Sequence, residues 1–211
     1  MRILTFTDVH GHPATLKMLA KKARNVDFCI CCGDFTTFSI DMDWVIDFFG
    51  RNFPVPVYMI HGNHDSYRRF LELCKHYQNI IPFHLKLLKL KKHDICMFGF
   101  GGGGFSFTEP VLEKAHKELK KKLPPGERLI LVTHAPAYHT SVDFLDEQRG
   151  HRGCNSSRKI IEDLQPMLAL SGHFHETFGV DDKIGKSLLL NPGDEGIIIE
   201  VNDGKIKLKK K

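Results

Sequence analysis

The 211-residue chain predicts an α/β domain in which helices cover a parallel or mixed β-sheet. In its first part, short apolar runs alternate with segments of helical periodicity, a pattern typical of β-α-β units. From residue 167 onward, strand patterns dominate. No linker rich in Pro, Gly or Ser and no internal repeat divides the chain, so we expect one domain over residues 1–211.

The elements follow from the spacing of apolar residues. Strands are predicted at 2–7, 27–32, 55–60, 95–100, 129–133, 167–171, 187–190 and 196–201. Helices are predicted at 13–24, 42–50, 66–76, 109–123 and 156–164. The first helix is supported by Pro13, which suits the first helical turn.

Two short segments predict turns. Pro124-Pro125-Gly126 marks a turn inside the domain, because candidate site residues lie on both sides of it. Asn202-Asp203-Gly204 predicts a hairpin, and the basic tail, residues 205–211, would then begin as an edge strand.

Composition predicts an ordinary globular protein of the cytoplasm. Hydrophobic residues make up 42% of the chain and the formal net charge is +5, part of which lies in the lysine-rich tail. Such a run is usually solvated and is not by itself a nucleic-acid footprint. No apolar run approaches the roughly 18 residues of a membrane span, and the N-terminus lacks the pattern of a secretory signal.

The six cysteines are expected to be reduced. Cys29-Ile30-Cys31-Cys32 contains a C-x-x-C spacing, but a zinc site needs a second pair and a redox motif should open a helix. We therefore predict a buried strand that uses cysteine as a small hydrophobic residue.

Five stretches rich in metal-binding side chains each follow an apolar run. Strand ends at one edge of a sheet are where an α/β protein assembles its site, so we expect these side chains to meet. One histidine among 13 is weak evidence, whereas five such blocks are hard to obtain by chance. The blocks are Asp8-Val9-His10, Gly33-Asp34, Gly62-Asn63-His64-Asp65, His134 and Gly172-His173-Phe174-His175.

These side chains suit two divalent cations side by side. In an extended segment, Asp8 and His10 would point the same way and reach one metal. The carboxylate of Asp34 is a natural bridge, and Asn63 adds a neutral oxygen. Nitrogen and oxygen donors without thiolate favour Mn, Fe, Zn, Co or Ni over Mg or Ca. Two metals, two carboxylates and a hydroxide leave one positive charge, which would attract a phosphate.

Taken together, the blocks resemble the calcineurin-like metallophosphoesterase superfamily over residues 8 to about 193. The resemblance implies a four-layer sandwich, in which two mixed β-sheets pack face to face with helices outside. It implies a hydrolase that attacks phosphorus esters with metal-activated hydroxide, with manganese as the favoured metal. It also implies the ligand sets: Asp8, His10 and His175 on one metal, Asn63, His134 and His173 on the other, and Asp34 on both.

The same resemblance assigns His64 to the substrate rather than to a metal. The imidazole would contact the phosphate and protonate the leaving oxygen, with Asp65 as its orienting partner, and its ordinary pKa suits proton transfer near neutral pH. The alternative for His64 is phosphate binding without proton transfer.

Departures from other branches narrow the resemblance. Gly33-Asp34 is followed by Phe-Thr-Thr-Phe rather than by the Asp-Arg-Gly of Ser/Thr protein phosphatases, and Thr37 stands where purple acid phosphatases have tyrosine. Every ligand position is filled, unlike in the retromer scaffold subunit. The chain is most similar to the small, cap-less prokaryotic-type phosphoesterases, and Asn191-Pro192-Gly193 is similar to their closing motif.

Two further segments are candidates for the rim of the site. Arg152 and His151 would bind substrate oxygens, although the same segment also reads as a helix start capped by Asn155 or Ser156. The glycine-rich stretch 99–104 is not followed at once by a helix, so a loop beside the site is favoured over a dinucleotide fingerprint.

Three functions remain open from the sequence. The first is a phosphoesterase acting on small phosphodiesters, with monoesters as a further substrate class. The second is a nuclease or DNA-repair enzyme with the same centre, which is less favoured because the positive charge is modest. The third is a non-enzymatic scaffold. No membrane partner is expected, and the oligomeric state is open.

Overall fold

The computed structural model describes residues 1–124, 126–202 and 204–209. Five α-helices occur in these residues: α1 (Pro13–Ala23), α2 (Met42–Asn52), α3 (Tyr67–Cys74), α4 (Pro110–Lys122) and α5 (Asn155–Leu164). The strands are β1 (Arg2–Phe6), β2 (Phe28–Cys31), β3 (Val57–Met59), β4 (Ile80–Pro82), β5 (Leu87–Leu90), β6 (Ile95–Phe100), β7 (Leu129–Thr133), β8 (Leu168–Leu170), β9 (Asp181–Ile184), β10 (Ser187–Leu190), β11 (Ile197–Asn202) and β12 (Lys205–Lys209).

These strands form two mixed sheets of six strands. The first has the order β12-β11-β1-β2-β3-β4, with β1 to β4 parallel and β11 and β12 antiparallel to their neighbours. The second has the order β5-β6-β7-β8-β10-β9, with antiparallel strands at both edges. All five predicted helices and all eight predicted strands are present, but β4, β5 and β9 were not predicted.

Three apolar clusters give the molecule four layers. The central cluster lies between the sheets and joins Ile3 and Ile30 of the first sheet to Ile130 and Leu170 of the second. A second cluster packs α1, α2 and α3 on the outer face of the first sheet. A third packs α4 and α5 on the outer face of the second. The predicted sandwich of two mixed β-sheets flanked by helices is confirmed.

The predicted hairpin joins β11 to β12, whose antiparallel register brings Asn202 opposite Lys205. The tail therefore begins as an edge strand, as predicted. Asp203 of that turn, Pro125 of the other predicted turn, and the terminal Lys210 and Lys211 lie outside the described residues.

All six cysteines are buried free thiols. Cys29 and Cys31 face the helices outside the first sheet, whereas Cys32 faces the space between the sheets. The two cysteines of the C-x-x-C spacing thus point to opposite faces of the sheet, so the prediction that they act as small hydrophobic residues is consistent with their burial.

The topology brings the five ligand blocks to one edge. The parallel strands β1, β2 and β3 end just before Asp8, Asp34 and Asn63. In the second sheet, the parallel strands β7 and β8 end just before His134 and His173. Since both sheets present their carboxyl ends here, the ligand candidates meet between them.

Candidate metal centre

Two adjacent groups of donor atoms lie at this edge. Asp8, His10 and His175 form the first, and each contributes one nitrogen or oxygen within 4.8 Å of the other two. Nε2 of His10 lies 3.3 Å from Nε2 of His175, and Nε2 of His175 lies 3.5 Å from Oδ1 of Asp8. This is the ligand set that the resemblance implied for one metal.

The second group contains Asp34, His134 and His173, whose donor atoms also lie within 4.8 Å of one another. Nε2 of His134 is 3.3 Å from Oδ2 of Asp34 and 2.9 Å from Oδ1 of Asn63. Asn63 therefore joins the group as expected. The sharing of Asp34 between two metals remains a prediction.

Four of the seven ligand candidates have a left-handed backbone. The φ angles are 52° for Asp8, 49° for His10, 50° for Asp34 and 71° for His173. Such conformations cost free energy in residues other than glycine and cluster at functional sites, where the surrounding structure maintains them. Asp8 and His10 thus converge through a turn after β1, and the expectation of an extended D-x-H segment is wrong in this respect.

Close backbone contact between two blocks depends on Gly33. Its φ is +105°, and a Cβ atom there would lie 2.7 Å from the amide nitrogen of Gly62 and 2.7 Å from Nδ1 of His134. Any side chain would displace the second group of donors. A glycine at this position lets β2 and β3 deliver their ligands side by side.

Hydrogen bonds to backbone carbonyls orient two of the histidines. Nδ1 of His134 donates to the carbonyl oxygen of Cys32 at 2.9 Å. Nδ1 of His10 lies 3.2 Å from the carbonyl oxygen of Thr36, which can only accept. Both rings therefore present Nε2 to the site, as is typical of metal-binding histidine.

Electrostatics keep two of the donors, His173 and Asp8, in a form suited to cations. Burial, together with the charge of His134, lowers the pKa of His173 to about 4, so its imidazole is neutral near pH 7. Burial would raise the pKa of Asp8, but the hydrogen bond with His175 and the charge of His134 hold it below its ordinary value. Asp8 is therefore an anion.

The unpartnered ring nitrogen of His173 is suited to bind a metal. Its Nε2 is buried and has no hydrogen-bond partner among the described residues. A buried nitrogen without a partner is costly unless something else satisfies it. A cation shared with Asp34, His134 and Asn63 would do so, and carboxylate, imidazole and amide donors match the preferences of Mn, Fe, Zn, Co and Ni.

His64 faces the second group. Its Nε2 lies 4.0 Å from Oδ2 of Asp34, and its backbone amide donates to Oδ1 of the same carboxylate at 2.8 Å. The ring of Phe38 covers it, with 4.2 Å between centroids. The imidazole is thus beside the ligands, as the resemblance implied.

The predicted contact between Asp65 and the imidazole of His64 is wrong. The buried Asp65 carboxylate accepts hydrogen bonds from the amide of Gly62 at 2.9 Å and from the amide and hydroxyl of Thr36 at 2.9 and 2.6 Å. Nδ1 of His64 is buried without a partner among the described residues. Because the hydrogen bonds to Asp65 come from Thr36, in the loop after β2, and from Gly62, in the loop after β3, this carboxylate ties the two loops together. Burial raises its pKa to about 6.

A cavity of about 580 Å³ lies over the donors. Its described lining includes Arg149 and Leu145, neither of which the sequence singled out, and Phe105, whose ring lies 4.6 Å from that of His173. A Cβ on Gly104 would lie 2.6 Å from the His173 ring. The glycine-rich stretch therefore runs beside the site, as predicted.

Arg152 and His151 are not among the described residues that line this cavity. Nδ1 of His151 instead pairs with Oδ1 of the buried Asp143 at 2.7 Å, and Arg152 is exposed. The arginine that lines the cavity is Arg149, three positions earlier. The sequence of this exposed segment does not distinguish Arg149 from Arg152. Substrate binding by Arg152 and His151 has no support in these contacts.

The alternative capping role for this segment is also wrong. α5 begins at Asn155 after Cys154, and no side chain caps it. The hydroxyl of Ser156 instead accepts from the amide of Glu109 at 3.0 Å and donates to Glu113 at 2.9 Å. Ser156 therefore fastens α5 to the start of α4.

The model of the calcineurin-like phosphoesterases matches residues 1–177, which include all seven ligand candidates. The chain belongs to the calcineurin-like phosphoesterase family. Phosphoester hydrolysis with two divalent metals is the chemistry of this family, and the two donor groups have the composition that it requires.

Similar proteins cover nearly the whole of this phosphoesterase. The uncharacterized protein MJ1162 of Methanocaldococcus jannaschii is 29% identical over 94% of this chain and 91% of its own length. The crystal structure of TT1561 of Thermus thermophilus is 18% identical and covers 98% of this chain and 97% of its own, with a TM-score of 0.77. A dimetal phosphatase from Danio rerio is 11% identical and covers 99% and 95%, with a TM-score of 0.70.

Among the described residues, no helix is both long enough and apolar enough to cross a membrane.

Proposed function

We propose that the protein is a dinuclear metal-dependent phosphodiesterase that acts on small diesters and, more slowly, on monoesters. The observation that carries this proposal is the pair of adjacent donor groups with His64 beside them in one open cavity. Mn is the metal we favour, since nitrogen and oxygen donors suit it and no thiolate is present in either group.

The charge of the cavity favours diesters over monoesters. Arg149 is the one arginine or lysine among its described lining residues. It pairs with Asp146 at 2.6 Å and with Glu176 at 2.9 Å, and Glu176 itself lines the cavity. Near neutral pH a monoester carries two negative charges and a diester carries one. Because the positive charge of Arg149 is already paired with these two carboxylates, the cavity suits the diester better.

The protein's own residues would divide the work. Two divalent cations held by the two donor groups would supply polarisation of the phosphorus ester and a lowered pKa for bound water. Asp8, Asp34 and Asn63 hold the site with four histidines. His64 donates a proton to the leaving oxygen, a step typically worth 10²–10⁴ in rate. Phe38 covers the His64 ring and keeps water from one of its faces.

We also propose that the enzyme works in a reducing compartment, in agreement with the expected cytoplasmic location. All six cysteines are free and buried, and none is paired with another. Disulfides form and persist in oxidising compartments and are rare in the reducing cytosol.

The test uses paired chromogenic substrates with the same leaving group, bis(4-nitrophenyl) phosphate and 4-nitrophenyl phosphate. We expect the diester to be hydrolysed with the higher kcat/KM when Mn²⁺ is present, no hydrolysis of either substrate after treatment with a chelator, and recovery when Mn²⁺ is returned. Bound ions without turnover for any of the five metals would contradict the proposal and favour a scaffold.

A further inference from the structure

A second cavity adjoins the one over the metal ligands. It encloses about 510 Å³ between the start of α1 and the start of α2. Both cavities are lined by His10 and Thr37, so they meet at these two residues. The remaining wall contains Pro13, Ile40, Asp41 and Trp44. We call this cavity the Trp44 groove.

The walls of the Trp44 groove are apolar and open to solvent. Ile40 is 62% exposed and Trp44 is 42% exposed. Trp44 is also the only tryptophan in the chain. Large apolar side chains grouped at the surface beside a catalytic cavity mark a site where a ligand covers them.

One formally charged side chain, that of Asp41, occurs among the described residues of this wall. It is an acid, and it forms no side-chain cap with α2. An anion at this position disfavours a second phosphate group and leaves an acceptor free for the N–H groups of a heterocycle.

The loop that builds the groove is strained. Phe38, Ser39 and Asp41 have φ angles of 48°, 62° and 51°. The loop is anchored to the catalytic segment, since the amide of Ser39 donates to the carbonyl oxygen of His64 at 2.9 Å and the amide of Ser66 donates to Oγ of Ser39 at 2.8 Å. Strain that the surroundings maintain beside a site is typical of residues that position a ligand.

We propose that the Trp44 groove binds the ester substituent that stays on phosphorus, and that it selects a flat aromatic or heteroaromatic ring. This inference rests on the proposed phosphodiesterase function. The expelled oxygen must lie near His64, in the cavity over the ligands, whereas the groove is entered past His10 and Thr37. The indole of Trp44 and the side chain of Ile40 offer flat and apolar surface for the ring, and stacking on an aromatic side chain favours any base or aryl group.

The kinetic test compares two diesters with the same leaving group. Bis(4-nitrophenyl) phosphate retains an aryl group on phosphorus, and methyl 4-nitrophenyl phosphate retains a methyl group. In Trp44→Ala, we expect KM for the bis-aryl diester to rise about fivefold or more, the effect of losing one stacking contact, while KM for the methyl diester is unchanged. Equal KM values for wild type and Trp44→Ala, or an equal rise for both substrates, would overturn the proposal.

Two further variants separate binding from structural damage. Trp44→Phe keeps a ring at this position and should restore most of the affinity for the bis-aryl diester. Phe107→Ala removes a ring that is 53% exposed and lies outside the described lining of both cavities, so it should change neither KM. Failure of Trp44→Phe to recover, or a matching rise in Phe107→Ala, would count against the groove.

Direct binding does not depend on turnover. Trp44 is the single tryptophan beside four tyrosines, so its emission can be followed by excitation at a wavelength that tyrosine does not absorb. Titration of the metal-loaded wild type with diphenyl phosphate should quench this emission saturably, and dimethyl phosphate should not. If the wild type binds diphenyl phosphate in this way but turns over neither chromogenic diester, the proposed function fails and the groove stands only as a site that binds aryl groups. Absence of quenching in an enzyme that hydrolyses diesters would refute the groove alone.

Discussion

The ring of Phe38 lies on the imidazole of His64, with 4.2 Å between the centroids and 42° between the planes. Phe38 is itself 72% exposed, so its burial is not the reason for this contact. Since Asp65 does not hold the imidazole, packing by Phe38 and the backbone contacts of the loop position it. The imidazole that we propose as the proton donor is thus kept at the edge of the site, close to Asp34 but outside both donor groups.

His64→Ala should therefore separate rate from metal content. We expect kcat for a diester to fall by roughly 10²–10⁴, the usual contribution of a general acid or base, with two metals still bound per chain by elemental analysis. His76→Ala, at an exposed histidine, is the matched control and should match the wild type. Loss of metal from His64→Ala would show that this residue is a ligand instead.

Asp65→Asn should weaken the fold near the site. One oxygen becomes an NH₂ group that faces backbone donors, so at least one of the bonds from Gly62 and Thr36 is lost. An unsatisfied buried group of this kind costs about 1–3 kcal/mol, which urea unfolding of the metal-free protein would measure. Asp94→Asn, at a side chain that is 80% exposed, is the control. Equal stability of the two variants would exclude a tying role for Asp65.

The pH dependence of stability should reverse on metal binding. Burial alone would lower the pKa of His134, but the hydrogen bond and charge of Asp34 and the charge of Asp8 raise it from 6.5 to about 9. The stabilisation from this protonated histidine is complete below pH 6.5 and is lost as the pH rises through about 9. A metal needs the neutral ring, so metal affinity rises over the same interval.

Thermal unfolding measures both effects. As the pH increases from 6.5 to about 9, deprotonation of His134 beside Asp34 should lower the Tm of the metal-free protein. Over the same interval, the increase in Tm produced by a fixed concentration of Mn²⁺ should grow. An increase that shrinks with pH would contradict the assignment of His134 as a ligand.

The sequence was sufficient for the layers and the ligand blocks, but less so for the sheet edges and the rim of the site. The three strands that it missed, β4, β5 and β9, are all edge strands. β4 ends in Pro82, and β9 begins Asp181-Asp182-Lys183, because an edge strand needs neither a fully apolar face nor a complete set of hydrogen bonds. The alternation of apolar residues that predicts a strand is therefore weak in edge strands, which are less buried than central ones.

The metal ligands could be predicted from the sequence because Asp, Asn and His side chains can bind a metal whatever backbone conformation they adopt. The role of Asp65 could not, because it depends on which amides approach from the loop after β2. Arg149 and Trp44 likewise depend on the tertiary arrangement: nothing in the order of residues distinguishes Arg149 from Arg152, and Trp44 reads as one apolar position of a helix.

Asp34→Asn should disable the centre as a whole. The neutral amide removes a negative charge beside His134 and an oxygen suited to bridging two cations. We expect both metals to bind more weakly in calorimetric titration with Mn²⁺, with loss of diester hydrolysis. His175→Ala, which removes a ligand of the first group only, should weaken one binding event. Two tightly held metals in Asp34→Asn would refute the bridge.

The central claim is that seven donors from five separated segments hold two cations side by side. The most direct measurement is anomalous scattering from crystals of the wild-type protein grown with Mn²⁺. We expect two anomalous peaks about 3.5–4 Å apart, one bonded to Asp8, His10 and His175 and the other to Asn63, His134 and His173, with Asp34 between them. A single peak, or manganese bound elsewhere while these side chains contact only one another, would contradict the account.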